Sequence, residues 1–303
     1  WNDRYRDDVR RFWLSDVAAA RNSGKHWNGV AELATRLSGS RDIVDGPSGP
    51  LGSVNFITAH DGFCLKDLVS YDVKHNQMNG ESNRDGTNGN HSFNHGFEGS
   101  GSTPEIAAQR RKAARNLMAT LLFSSGIPMV TAGDERLKTQ NGNNNAYCQD
   151  TVMSWVNWEL SRHQRDFEET FAHLTKLRRE NPVLRPKTFG DFNVANEDHD
   201  MIRWFNSQGE IMSEENWHDS ECRTIQRYSE RLEADGSRSA ILLLIHGAEK
   251  VQEVTLPSQD GVVRYELLWN SAFDQPTEEI ETILPGAKTL VSGTSIQVFR
   301  CNF

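Results

Sequence analysis

The chain has 303 residues, 36% of them hydrophobic and 25% charged, with a formal net charge of −9 and an isoelectric point near 5.6. That length holds one large domain or a large and a small one, with ample core. The acidic balance excludes a polyanion such as nucleic acid as the expected partner and favours a neutral substrate, and the apolar runs at 117–123 and 241–245 are far too short to span a bilayer.

Residues 3–20 read as an amphipathic helix, because Tyr5, Val9, Phe12 and Trp13 recur at helical spacing with Arg and Asp on the other face. A second short helix over about 28–37 carries Val30, Leu33, Ala34 and Leu37. The Gly, Ser and Pro of 38–52 make a loop. It leads into Val54-Asn55-Phe56-Ile57-Thr58-Ala59, an apolar, β-branched run that ends abruptly in His60-Asp61-Gly62. A buried strand delivering polar groups to a loop has this form, and in barrels of βα units the C-terminal strand ends carry the chemistry. Asp61, with His60 beside it, is the first candidate functional pair. Asp-Gly after a strand is also ordinary turn chemistry.

A long polar region follows at about 72–103, rich in Asn, Gly, His and Asp. Loops of this length are functional or disordered; Phe63, Tyr71, Phe93 and Phe97 favour an ordered loop with aromatic anchors. Thr103-Pro104-Glu105 then starts a helix, with a hydroxyl cap, proline in the first turn and an acid beside it. Ile106, Arg110, Ala113, Leu117 and Leu121 mark one face of it, Arg110 at the wetter end, and the helix ends near Gly126. A second apolar strand, 127–132, closes in Gly133-Asp134-Glu135. Two strands of one grammar separated by a helix predict a parallel βαβ crossover.

The next loop, 139–150, contains Asn143, Asn144 and Asn145 beside Tyr147. Amides next to an aromatic face suit a ligand covered in hydroxyls; the same residues are also turn formers. Trp155 and Trp158 are expected to anchor the return to the core, and 163–180 forms a helix that Asn181-Pro182 ends. From about 187 the grammar changes. Strand-like segments at 201–206, 239–246, 252–256, 265–270 and 295–301 recur without long helices, which predicts an antiparallel β-sandwich, with 210–217 as a loop or helical turn. Cys64, Cys148, Cys222 and Cys301 are far apart, with no CxxC pair, and fit free thiols in a reducing, cytoplasmic setting. Asp85, Asp134 and Asp150 lack calcium-loop spacing, and neither a metal nor another cofactor is expected.

Together these motifs resemble a known family. The stretch from Val54 to Phe63 resembles the last conserved region of the α-amylase superfamily, glycoside hydrolase family 13. Lys74-His75-Asn76, Asn79-Gly80-Glu81, Asn83-Arg84-Asp85-Gly86-Thr87 and Asn94-His95-Gly96 are similar to the following loop in bacterial glycogen debranching enzymes of the isoamylase type. So are Ala132-Gly133-Asp134-Glu135 and the run from Gly142 to Asp150, and Trp1-Asn2-Asp3-Arg4-Tyr5-Arg6-Asp7 looks like the segment after the fifth strand. The resemblance is strong through about residue 180 and loose beyond it.

It implies an α/β part, residues 1–182, as the C-terminal portion of a (β/α)₈ TIM barrel with about strands seven and eight. A C-terminal β-sandwich, 187–303, follows. The implied reaction is hydrolysis of α-1,6 branch linkages in glycogen or limit dextrin by a retaining mechanism, in which two carboxylates roughly 5–5.5 Å apart act as nucleophile and acid/base. Asp61 matches the third carboxylate, which stabilises the transition state, and His60 matches a residue hydrogen-bonded to the same sugar; Asn143, Asn144, Asn145 and Tyr147 are the further candidate substrate contacts. The nucleophile and the acid/base of the family precede the position of Trp1, so the chain is expected to be the C-terminal part of a longer enzyme, inactive alone. Asp134-Glu135 is expected to be structural, and Arg136-Leu137-Lys138 departs from the family, which carries an aromatic or His with Gly there. Within the superfamily, a pullulanase or a trehalose-pathway debranching enzyme is the sibling reading. A non-catalytic glycan-binding or structural fragment is the reading from another class. Trp204, Trp217 and Trp269 form no stacking platform in sequence and are expected in the core. Two open strand edges would leave the barrel part unstable alone, with 187–303 able to fold independently.

Overall fold

The computed structural model describes residues 1–193, 195, 200–276 and 281–303. Its N-terminal helical stretch runs through α1 (Asp3–Arg10), a π-helical turn (Arg11–Ser15) and α2 (Asp16–Ser23). The π-turn carries Phe12, Trp13 and Leu14, three successive buried residues. A regular helix spreads such a run over most of its circumference; the inserted residue turns it toward one core. Helix α3 (Ala31–Leu37) follows, and then β1 (Val54–Phe56).

Helix α5 (Pro104–Phe123) begins as the sequence predicts, its Thr103 side chain accepting the Ile106 N–H. It crosses to β2 (Ile127–Met129), which pairs with β1 in parallel, Val54 opposite Ile127 and Phe56 opposite Met129. Both strands are shorter than the apolar runs that encode them. Asn2 adds a single parallel bridge on the other side of β1, its N–H donating to the Val54 carbonyl at 2.9 Å. Helix α4 (Leu65–Leu68) sits between β1 and α5, and α6 (Arg162–Glu180) carries the Ser161/Gln164 capping box.

The C-terminal part is a six-stranded antiparallel sheet in the order β3-β4-β5-β10-β7-β8, covered on one face by the two-stranded pair β6-β9. The strands are β3 (Met201–Phe205), β4 (Thr224–Leu232), β5 (Arg238–His246), β6 (Gln252–Thr255), β7 (Arg264–Asn270), β8 (Thr282–Ile283), β9 (Lys288–Val291) and β10 (Ser295–Asn302). Helix α7 (Glu214–His218) lies where a helical turn was expected. Strand β4 has no counterpart in the sequence reading. Its Gln226, Arg227, Ser229 and Glu230 look solvated, yet all four are buried.

Side chains alternate across the sheet. Tyr228, Leu242, Leu244, Tyr265 and Phe299 face β6-β9, while Ile225, Ile241, Leu243, Ile245, Trp269, Ile296 and Val298 join Leu117, Leu121 and Phe123 of α5 in one core cluster. The boundary near residues 182–187 therefore separates kinds of structure but not cores. A cut there would strip the helices from the sheet face that carries Ile225, Ile241, Leu243, Ile245 and Val298, so independent folding of 187–303 would leave that face open to water.

Three arginines close what the helices leave open. The last carbonyls of a helix have no partner within it, and α5 ends without a basic residue in its last turn. Arg178 of α6 donates to Leu122, Ser124 and Gly126 carbonyls, and Arg227 of β4 donates to the carbonyls of Phe123 and Leu37 at 3.2 and 3.1 Å. At the other end Arg110, expected to be wet, is buried and donates to the carbonyls of Asn94, Phe97 and Gly99. Trp155 and Trp158 are corrected in the opposite sense. Both are exposed, Trp158 lying under the Arg136 guanidinium at 4.6 Å and Trp155 bonded to Asp150. Phe63, Tyr71 and Phe93 are buried anchors, whereas Phe97 is exposed.

Candidate functional site

His60 and Asp61 lie just past the C-terminal end of β1, with side chains 73% and 78% exposed and His60 Nε2 3.2 Å from Asp61 Oδ2. The Trp1 ring meets the His60 imidazole edge-on at 5.8 Å and packs on Phe56 at the same distance. Exposure of this degree would leave an ordinary turn free to move. Here the turn is tied from behind. The Gly62 N–H donates to the Asn144 carbonyl at 2.9 Å, and Arg10, buried, donates to the carbonyls of Ile57 at 2.8 Å and Asn90 at 3.1 Å. Burial pushes the Arg10 guanidinium down to about 9. Nothing in the sequence distinguishes Arg10 from the exposed arginines around it.

The asparagine loop is that backing. Asn143 and Asn144 are buried, and their amides are spent inside the protein. Asn144 accepts from Asn76 Nδ2 at 2.9 Å, and donates to Thr87 O at 2.8 Å and Asn90 Oδ1 at 3.0 Å. Asn143 donates to Asn79 Oδ1 at 2.8 Å and accepts the Asn145 N–H. Asn145 is half-buried and donates to Asp85 Oδ2 at 2.9 Å, an oxygen that also accepts from Asn79 at 2.7 Å. These bonds hold the Asp85 carboxyl below its ordinary range. Lys74, buried too, spans the same loop, its Nζ donating to the Asp85 carbonyl at 2.8 Å and the Gly86 carbonyl at 3.1 Å. Asn143 and Asn144, expected as substrate contacts, lie behind the turn with their side-chain amides bonded to the neighbouring loops. Tyr147 is 80% exposed, with its ring available.

Gly86 shows how closely the loops pack. Its φ is +71°, and a Cβ there would run into the side-chain amides of Asn144 and Asn76. Only glycine satisfies both conditions.

Asp134 and Glu135 are turned away from solvent chemistry. Asp134 is buried and accepts from the Thr58 hydroxyl and, at 2.9 Å, from the Leu65 N–H, so it clamps the ends of β1 and β2 together. Burial pushes its carboxyl up to about 6. Glu135 accepts the Gly133 N–H at 2.8 Å. The site thus offers one exposed carboxylate and one imidazole on a braced turn. They can exchange hydrogen bonds with a hydroxylated ligand and place negative charge beside a developing positive centre.

The fold is shared with a class of solved glycoside hydrolases. A pullulanase from Bacillus acidopullulyticus superposes with a TM-score of 0.65 at 18% identity, covering 99% of this chain and 30% of that one. A pullulanase from Anoxybacillus sp. LM18-11, complexed with maltotetraose, gives 0.59 at 19% identity over 99% and 35%. In sequence the chain is a homologue of proteins named glycogen debranching enzyme. That of Cronobacter sakazakii is 40% identical over 259 residues, 85% of this chain and 35% of the relative. The glycogen operon protein GlgX homolog of Mycobacterium bovis is 36% identical over 314 residues, 99% of this chain and 42% of the relative. The chain therefore spans well under half the length of these relatives. No family model matches it. Among the described residues, no helix is long and apolar enough to cross a membrane.

Proposed function

We propose that this chain is the C-terminal part of a debranching glycoside hydrolase that cleaves α-1,6 linkages of glycogen or limit dextrin. In this reading β1 and β2 are strands seven and eight of a (β/α)₈ barrel, and the six-stranded sheet belongs to its C-terminal β-domain. Asp61 is the carboxylate that stabilises the oxocarbenium-like transition state. His60 and Tyr147 contact the sugar. The nucleophile and the acid/base come from outside these residues. The observation that carries the reading is the exposed His60–Asp61 pair, held at a parallel strand's C-terminal end by buried amides. Such a site spends its stability on fixing one turn, as transition-state stabilisation requires.

The test is reducing-sugar release from phosphorylase limit dextrin by the enzyme that contains this chain. Asp61→Asn is expected to lower kcat by roughly 10²–10³-fold or more, and to leave Tm nearly unchanged because the side chain is exposed. Retained activity in the variant removes Asp61 from the chemistry. Pullulan measured in parallel separates the sibling specificity.

A further inference from the structure

The sequence sets Trp204 and Trp217 among core residues, and in the fold both pack against the rim of the main core cluster while staying partly open to solvent. Trp204 lies on the face of β3 opposite Met201 and Phe205, and Trp217 belongs to α7; their rings stand 6.1 Å apart at 79°. Both are half-buried, and together they form one wall of an open groove of about 390 Å³. The opposite wall is α3, which presents Ala31, Ala34, Thr35 and Ser38 at i, i+3, i+4 and i+7, the spacing of a single helix face. Small side chains there leave the width of the groove open. Arg41 stands at the rim, its guanidinium over the Phe189 ring at 5.4 Å.

Two properties narrow the occupant. Among the described residues no carboxylate lines the groove, although the molecule as a whole carries a net charge of −9. Its polar groups are mostly unspent. Neither indole N–H, nor the Ser38 hydroxyl, nor the Arg41 guanidinium makes a hydrogen bond among the described residues, and the Thr35 hydroxyl donates to the Ala31 carbonyl at 3.0 Å, leaving its oxygen free to accept. Indole faces meeting donors directed along an edge match a pyranose, which has apolar C–H faces and a hydroxyl rim. Two rings set at an angle suit successive sugars that are not coplanar.

We propose that this groove is a second glucan-binding site, distinct from the His60–Asp61 turn, which takes a linear segment of α-linked glucose. It rests on the glucan-directed reading above and adds to it a place where a branched polymer is held away from the bond being cut. A neutral ligand of this kind, with few contacts, binds weakly, with Kd of about 1 mM.

The experiment titrates the enzyme that contains this chain with maltoheptaose while following the Trp204 and Trp217 indole N–H signals by NMR. Trp204 and Trp217 signals are expected to shift together. Trp217→Ala and Thr35→Trp, the second filling the groove without removing either indole, are each expected to weaken binding at least about tenfold, while Asp61→Asn leaves these shifts intact. Near-ultraviolet circular dichroism checks that each variant is folded. Absence of any shift up to about 10 mM sugar overturns the proposal. So does binding that Asp61→Asn abolishes and Thr35→Trp leaves untouched, which would place the glucan on the turn alone. If Thr35→Trp instead dissolves a dimer in sedimentation, the groove holds a second copy of the chain and the proposal also fails. Groove binding in an enzyme inactive on limit dextrin would sink the hydrolase reading and leave the groove standing.

Discussion

Asp134 is a carboxyl whose cost to the fold depends on pH. Burial pushes it up to about 6, while an unfolded chain titrates it at the ordinary value of 3.8. The native state thus keeps a proton that the unfolded state has lost between those values. Stability falls as pH rises through that window and levels off above it. A shift of this size corresponds to something on the order of 2–3 kcal/mol. Asp134→Asn retains an acceptor for the Leu65 N–H and offers a donor to Thr58, whose hydroxyl then serves Thr131, 3.0 Å away. The variant is expected to flatten the pH dependence of the urea midpoint between about pH 4 and 6 and to be the more stable protein at neutral pH. A midpoint that falls equally steeply in both proteins would show that other carboxyls carry the slope.

At the scale of elements, the ends of α5 depend on arginines supplied from elsewhere. Arg227 is buried on β4 and reaches the Leu37 and Phe123 carbonyls and, at 3.1 Å, the Ser125 hydroxyl. Burial pushes it down to about 10. Arg227→Leu is expected to cost about 2–4 kcal/mol by leaving buried acceptors without a donor, measured as a loss of denaturation free energy with an unchanged m-value. A loss below 1 kcal/mol, on the order of an ordinary surface change, would mean that water takes over those carbonyls. The same residue explains what could not be read in advance. Strands 238–246 and 295–302 are rich in Ile, Leu, Val and Phe and were legible, as were α5 and α6 with their caps. The strand Thr224–Leu232 was not, because its arginine and glutamate look solvated until distant carbonyls and a tyrosine hydroxyl are known to meet them. At the site, His60-Asp61 was legible as polar residues ending an apolar run. The inward turn of Asn143 and Asn144 was not, since an amide that binds sugar and one that braces a loop have the same spelling.

For the whole molecule, the governing fact is that helices and sheet share one core. Trp269 of β7 meets Phe123 of α5 at 6.5 Å, and Arg115 of α5 pairs with Asp274 beyond β7 at 2.5 Å. Partners on both sides of that interface cannot be lost separately. The chain is expected to unfold in one calorimetric transition, with an enthalpy of about 200 kcal/mol near 60 °C and equal calorimetric and van't Hoff values. Two resolved transitions would restore the view of 187–303 as an independent unit.

The braced loop also carries a clock. Asn79-Gly80 is a sequence in which an asparagine amide readily hydrolyses to a carboxylate over time, and Asn79 is a hub of the bracing. Its amide gives hydrogens to Asp85 at 2.7 Å and to the Asn145 carbonyl at 2.9 Å. Conversion would delete both donors and set a new negative charge against Asp85. The attacking nitrogens are bonded in both Asn-Gly pairs, Gly80 to the Gln77 carbonyl at 3.2 Å and Gly89 to the Thr87 hydroxyl at 3.1 Å, but the Asn79 side chain is held by its bonds to Asp85 and Asn145 whereas Asn88 is exposed. Peptide mapping of protein stored at mildly alkaline pH is expected to find Asn88 converted first and Asn79 late. Once Asn79 has converted, the loop behind the His60–Asp61 turn loses two donors, and the activity proposed above for the enzyme that contains this chain is expected to decline on ageing without a single peptide bond having been cut. Early conversion of Asn79 would mean that the bracing is looser than its hydrogen bonds imply.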